Sequence, residues 1–252
     1  MPRLDQLLVS QGHARSRTRA QRLIRHGRVS RAEDGKLLTR PGEKCPEDLV
    51  LRVEEDPEER YVSRAGLKLE AVLKTLNLDL TGLTVLDVGQ STGGFSDCAL
   101  SFGARHVIGV EVGHGQLDAS LVEDPRITCL EGLNARAMAE APQLLAAIDE
   151  QGPLGAAVMD VSFISQTLIL PEIAALLPSG ATLVSLVKPQ FEVGPGGVDD
   201  RGLVTDTRLY ADVEQRIRVC CTQFELGIEH WQDSPILGGD GNREFLLHAR
   251  RR

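Results

Sequence analysis

Five short apolar runs recur between residues 84 and 189, and each leads into polar or charged side chains. They read "TVLDVG", "HVIGVEV", "RITCLEG", "AAVMDVS" and "TLVSLVKP". Segments such as "GGFSDCALSFGA" and "SQTLILPEIAALLP" lie between them and are long enough for helices. Runs this apolar leave no face for water, and their alternation with helices predicts an α/β domain with a mainly parallel sheet and crossover helices. Ligands of such sheets collect beyond the carboxyl ends of the strands. Asp87, Glu111, Asn134, Asp160 and Lys188 fall at or just past those ends, so chemistry is expected along that edge.

The first fifty residues have a different character. Residues 1–52 carry twelve Arg or Lys against six Asp or Glu, a balance of +6, which leaves −14 for the rest of a chain whose net charge is −8. Eight arginines and one acid, Asp5, occupy residues 1–31. "RLDQLLVSQG" sets Leu4, Leu7 and Leu8 at helical spacing before a glycine. "SRTRAQRLIRHGRV" opens on Ser16 as an N-cap, keeps Ala20, Leu23 and Ile24 on one face and stops at Gly27. Short strands are expected to follow, around a "TRPGEK" turn and into "DLVLRVEE".

Arg3, Arg15, Arg17, Arg19, Arg22, Arg25 and Arg28 lie mostly off that apolar stripe and are expected to straddle RNA phosphates, together with Ser16 and, further on, Arg64. The stretch resembles the S-four type αL module, a small α+β RNA-binding domain. The acidic, proline-broken "EEDPEERY" reads as a linker. The expected organisation is therefore an RNA-binding domain over 1–53, a linker over 54–62 and the α/β domain over 63–252.

Composition excludes several classes. No apolar run approaches the roughly 18 residues that span a bilayer, so neither a membrane partner nor secretion is expected. Five cysteines without C-x-x-C spacing suit a reducing, cytoplasmic setting, and the six histidines show no ligand spacing, so no metal is expected.

"LDVGQSTGGF" places Asp87 just ahead of Gly89, Gly93 and Gly94. Glycines after the first strand admit close backbone approach and leave N–H groups at a helix start. A carboxylate there repels a pyrophosphate but attracts an ammonium, which S-adenosylmethionine carries on its methionine end. The cofactor residues expected on this reading are Asp87, Gly89, Ser91, Gly93, Gly94 and Phe95 from the turn. Glu111 with Val112 is expected at the ribose hydroxyls, and Asn134 at the adenine edge. The competing reading is a tight strand-to-helix turn that binds nothing.

The acceptor follows from what the strand ends lack. "DVSF" has none of the prolines typical of exocyclic-nitrogen methylation, and neither the fourth nor the fifth strand end offers a cysteine nucleophile. Lys68, Asp160, Lys188 and Glu244 suit a hydroxyl acceptor such as a ribose 2′-OH, which must lose its proton as carbon–oxygen bonding develops.

The chain as a whole resembles the TlyA family of hemolysin-like ribosomal RNA methyltransferases within the FtsJ-like group. "RLDQLLVSQG", "YVSRAGLKLE", "LDVGQSTGGF", "GHGQL", "NAR", "DVSFIS", "VKPQFE" and "SPILGGDGNREFLLH" carry the resemblance. It implies a Rossmann-like sheet, S-adenosylmethionine as methyl donor, and a Lys-Asp-Lys-Glu tetrad at Lys68, Asp160, Lys188 and Glu244. It also implies 2′-O-methylation of cytidine in rRNA, with ribosomal RNA or a ribosomal subunit as partner and the large subunit favoured. Gln90 stands where a small residue is usual and can narrow the cofactor pocket, which leaves cofactor affinity open; Glu111 stands where an aspartate is usual and keeps the hydrogen-bonding role with a longer arm. Two other functions fit parts of the sequence: an RNA-binding assembly factor with a silent pocket, and a membrane-lytic protein, which the short arginine-dense helices disfavour.

Overall fold

The structure is a computed structural model that describes residues 1–14, 16–54, 56 and 60–252. It divides into two compact units, Met1–Arg60 and Tyr61–Arg252.

In the first unit, helix α1 (Leu4–Ser10) and helix α2 (Arg17–Arg25) pack beside a two-stranded antiparallel sheet of β1 (Val29–Arg31) and β2 (Leu51–Val53). The apolar spacing decides which faces meet. Leu4, Leu7 and Leu8 from α1 and Ala20, Leu23 and Ile24 from α2 share one core with Val29 and Leu51. Ser16 caps α2 by accepting from the Arg19 N–H at 3.2 Å, and Gly27 follows the helix at φ +68°, as the N-cap and glycine-stop pattern predicts.

The second unit is a seven-stranded sheet. Its strands are β3 (Thr84–Val88), β4 (His106–Glu111), β5 (Ile127–Glu131), β6 (Leu154–Met159), β7 (Thr182–Val187), β8 (Leu226–Asp233) and β9 (Phe245–Arg251). The spatial order is β5-β4-β3-β6-β7-β9-β8. The first five are the five apolar runs, and their pairings are all parallel. β9 runs antiparallel to β7 and to β8, so the sheet is mainly parallel, as the sequence pattern predicts, with antiparallel pairing added at one side.

Alternation along each strand sorts side chains into two apolar layers. Leu86, Val88, Ile108, Met159 and Leu247 face one layer, with Leu144 of α6 (Pro142–Gln151), Ile173 of α7 (Leu170–Leu176) and Ile217 of α8 (Leu209–Gln223). Val85, Val107, Val158, Val184 and Leu246 face the other, with Leu69 and Leu73 of α3 (Ala65–Thr75) and Phe95 and Ala99 of α4 (Gly94–Ser101). Burial on both faces is why the runs read as continuously apolar. The short helix α5 (Ala119–Val122) lies between β4 and β5 in the chain. Strand order reverses direction at β3, which is flanked by β4 and β6, so the crevice at its carboxyl end is the natural ligand site.

Tyr61 ties the start of the unit to α3. A Cβ at Gly66 would lie 2.5 Å from the Tyr61 ring. Gly66→Ala therefore lowers the melting temperature, by about 1–3 kcal/mol of overpacking, although alanine is the better helix former by about 1 kcal/mol. Thermal denaturation of the pair of proteins reads the sign directly.

Candidate active site

The turn after β3 is built by backbone conformation. Gly89 and Gly93 have φ of +82° and +90°, and Ser91 joins them at +47°. A Cβ at Gly89 would meet the Asp160 carbonyl oxygen at 2.6 Å, and the Asp160 N–H donates to the Val88 carbonyl at 3.0 Å. Bare backbone at Gly89 thus lets the ends of β3 and β6 touch and sets Asp160 beside the turn. Gly94 gives room to Ser63, whose hydroxyl occupies the space a side chain there would need.

Asp87 lies beneath this turn, fully buried. Ser96 donates to its Oδ2 at 2.6 Å, and Gln90 donates to Ser96 Oγ at 2.8 Å. Among the described residues Oδ1 has no partner. Burial pushes the carboxyl up to about 7, with the charges of Asp160 and Glu111 adding to the shift. The Gln90 side chain is directed at Gly109 on β4 and donates to Ser96, with little of it exposed, while the residue lines the smaller cavity described below. Phe95 is also buried and belongs to the apolar layer behind the turn.

Glu111 ends β4 and staples two loops. Its Oε2 accepts from the Ser91 N–H and its Oε1 from the Gly113 N–H, both at 2.8 Å, and Gln116 approaches Oε1 at 3.4 Å. Asn134 uses its Oδ1 to cap the turn that follows it, accepting from the Arg136 N–H at 3.0 Å. Glu111, Val112 and Asn134 line a cavity of about 520 Å³ with Gly89, Asp160 and Phe163. A smaller cavity of about 170 Å³ shares Gly89, Ser91, Asp160 and Ser162 with it and continues to Ser63, Phe95 and Lys188.

The four charged residues form two ion pairs. Lys188 Nζ stands 2.6 Å from Asp160 Oδ1, off the hydrogen-bond axis, and donates instead to Ser162 Oγ at 2.9 Å. Lys68 on α3 donates to Glu244 Oε2 at 2.5 Å. Both pairs are largely withdrawn from water. The sheet brings them to one edge. Val187 is paired with Phe245, so Lys188 and Glu244 are the next residues on adjacent strands, and Asp160 follows β6 on the other side of β7.

Three residues that the sequence reading passed over belong to this edge. Ser162 holds Lys188, Gln116 covers Glu111, and Phe163 is 90% exposed at φ +63° with its ring 4.9 Å from that of Phe191. Phe163 carried a usable signal: an aromatic directly after Asp-Val-Ser at a strand end has no apolar layer to enter.

The arginines are distributed more broadly. Arg17 and Arg25 are exposed, Arg19, Arg22 and Arg28 half-buried, and Arg3 is exposed at the start of α1. Arg64 is exposed ahead of α3 in the second unit. Arg15 lies outside the described residues.

The Asp87 carboxyl gives a pH signature. Its proton is bound more tightly in the folded chain than in the unfolded one, so stability contributed by this group falls as pH rises from about 4 to about 7. Asp87→Asn is expected to melt higher than the parent at pH 8 and to differ little at pH 5. Paired thermal melts across that range measure it, and an advantage confined to low pH would contradict the assignment.

The FtsJ-like methyltransferase family matches residues 61–251 and the S4 domain matches residues 2–50. A candidate rRNA methyltransferase of Bacillus subtilis, YqxC, is 43% identical over 98% of this chain and 84% of its own length. The 16S/23S rRNA (cytidine-2'-O)-methyltransferase TlyA of Mycobacterium tuberculosis is 38% identical over 98% and 89%. A solved structure from Streptococcus thermophilus, described as a candidate hemolysin, superposes with a TM-score of 0.72 at 36% identity over 99% of this chain and 88% of that one. The chain belongs to the FtsJ-like methyltransferase family and, within it, to the TlyA group that carries an N-terminal S4 domain.

Proposed function

We propose that the chain methylates the ribose 2′-hydroxyl of a cytidine in ribosomal RNA, most readily of the large subunit, with S-adenosylmethionine as donor. The observation that carries this reading is the pairing of Lys188 with Asp160 at the cavities and of Lys68 with Glu244 one strand further along the same edge. A hydroxyl is a weak nucleophile, and two cations held at fixed positions answer its main difficulty, the charge that grows on oxygen.

The residues present suit the cofactor. Asp87 keeps one buried oxygen unpartnered beneath the turn, a candidate acceptor for an ammonium, although it lines neither cavity. Glu111 stands where two ribose hydroxyls can reach its remaining lone pairs, Asn134 offers an amide to a base edge, and the exposed Val112 gives an apolar wall. When bound, S-adenosylmethionine supplies an electrophilic methyl on a sulfonium sulfur.

The protein's share of the step is positional and electrostatic. Lys188, fixed by Asp160 and Ser162, hydrogen-bonds the 2′-oxygen and shields its developing charge as the proton departs. Lys68 and Glu244 hold the ribose from the other side of the edge. Alignment of oxygen with the methyl carbon gives the rest. Phe163 presents an open aromatic face at the cavity rim, on which a nucleobase swung out of its helix can stack.

Lys188→Ala should abolish the modification, a loss of about 10²-fold or more in turnover, while cofactor binding by calorimetry persists. Mass mapping of ribose methylation on rRNA from cells with and without the protein is the decisive measurement. A mark that survives Lys188→Ala sinks the tetrad, and a wild-type protein that takes up no S-adenosylmethionine points to an assembly factor with a silent pocket. Phe163→Ala should weaken substrate engagement by about 1–3 kcal/mol through lost stacking, read as a raised KM for RNA at unchanged cofactor affinity.

A further inference from the structure

Asp5 is the one acid within the basic first thirty-one residues, and its carboxylate is fully buried in a cluster of cations. Arg3 donates to it through Nε at 3.0 Å and through its terminal nitrogen at 3.1 Å. Arg17 donates to Oδ2 at 3.3 Å and Gln21 to the same oxygen at 2.8 Å. Hydrogen bonds from Arg3, aided by Gln21 and Arg17, hold the carboxyl well below the usual carboxylate range, against the opposing effect of burial. The Arg3 guanidinium also lies against the turn at Gly42, where a Cβ would stand 3.6 Å from it.

These contacts constrain two guanidiniums without using them up. The side chains of Arg3 and Arg17 remain 45% and 55% exposed, and each guanidinium carries more N–H groups than Asp5 accepts. Two cations against one carboxylate leave a net positive cluster. An arginine free on a surface surrenders rotamer entropy when it grips a phosphate, and one already fixed surrenders less.

We infer that Asp5 is a positioning residue, a buried anion that presets Arg3 and Arg17 as a paired clamp for neighbouring phosphates of the RNA backbone. The inference rests on the RNA-binding reading of this unit. It goes against simple charge counting. Removing an acid from a basic surface strengthens attraction for a polyanion, whereas removing the anchor frees two arginines to wander.

The sign of one substitution therefore separates the two. Full-length protein is titrated with large-subunit rRNA transcribed in vitro, across a range of salt, with thermal melts alongside. Asp5→Asn is expected to bind about fivefold or more weakly, and its slope of log K against log salt to shrink by about one phosphate contact, despite the added positive charge. Binding as tight as the parent's, or tighter, overturns the inference. Should Asp5→Asn fail to fold, Arg3→Lys keeps the charge at a half-exposed site but cannot make the forked contact. Weakening by about threefold or more supports the clamp and parental affinity overturns it. A parent protein whose RNA binding shows no salt dependence overturns the RNA-binding reading itself, and the clamp with it.

Discussion

The site depends on one close approach of backbone to backbone. At Gly89 the chain leaving β3 comes against the carbonyl of Asp160 leaving β6, closer than any side chain would allow. That contact fixes where the strand order turns and puts a carboxylate beside the glycine turn. Asp160 then holds Lys188 across from β7, and the antiparallel β9 returns Glu244 to the same edge to meet Lys68. A methyl group at position 89 would push the two strand ends apart and separate the donor cavity from the charged pairs. The chemistry is thus assembled by sheet geometry, with each functional side chain on a rigid element or one residue beyond it.

Buried ion pairs are poor devices for stability, because taking two charges from water costs about as much as their attraction returns. Two such pairs at one edge, beside a buried Asp87 that burial and neighbouring carboxylates raise towards neutrality, place several costly charges together. The apolar layers on either side of the sheet carry the fold and absorb that cost. On the proposed reaction, what the expense would secure is orientation: lysines fixed before substrate arrives need no reorganisation when charge appears.

The sequence was informative where one force dominated. Runs buried on both faces have no choice but to be apolar, so β3 to β7 could be read with their polar ends. The hairpin of β8 and β9 could not: "GIEHWQD" mixes charged with apolar residues, as a half-covered edge strand permits, and "FLLHARR" ends in charges although its first five residues are buried between β7 and β8. Glu244 was identified by its motif while the strand that delivers it was not. The direction of Gln90 was hidden for a related reason. Position in the glycine turn says nothing about direction, and the open face of Gly109 drew the side chain beneath the turn. The depth of Asp87 was equally hidden, since a strand-end carboxylate looks the same whether it faces solvent or Ser96.

Charge separates the two units as clearly as structure does. The first carries +6 over its opening fifty-two residues and the remainder carries −14, a balance that by itself repels a polyanion. A catalytic unit so charged gains little from long-range attraction, and its lysines are neutralised in pairs. Attraction must then come from the basic unit, whose contacts to phosphate are largely indifferent to base sequence. On the function proposed, selection would fall to the cavity edge, where a ribose would reach between paired lysines and a base would leave its helix. On the same proposal, such a division would let a weak, geometry-demanding site act on a large RNA, because a docking unit raises the local concentration of substrate without sharing in the chemistry.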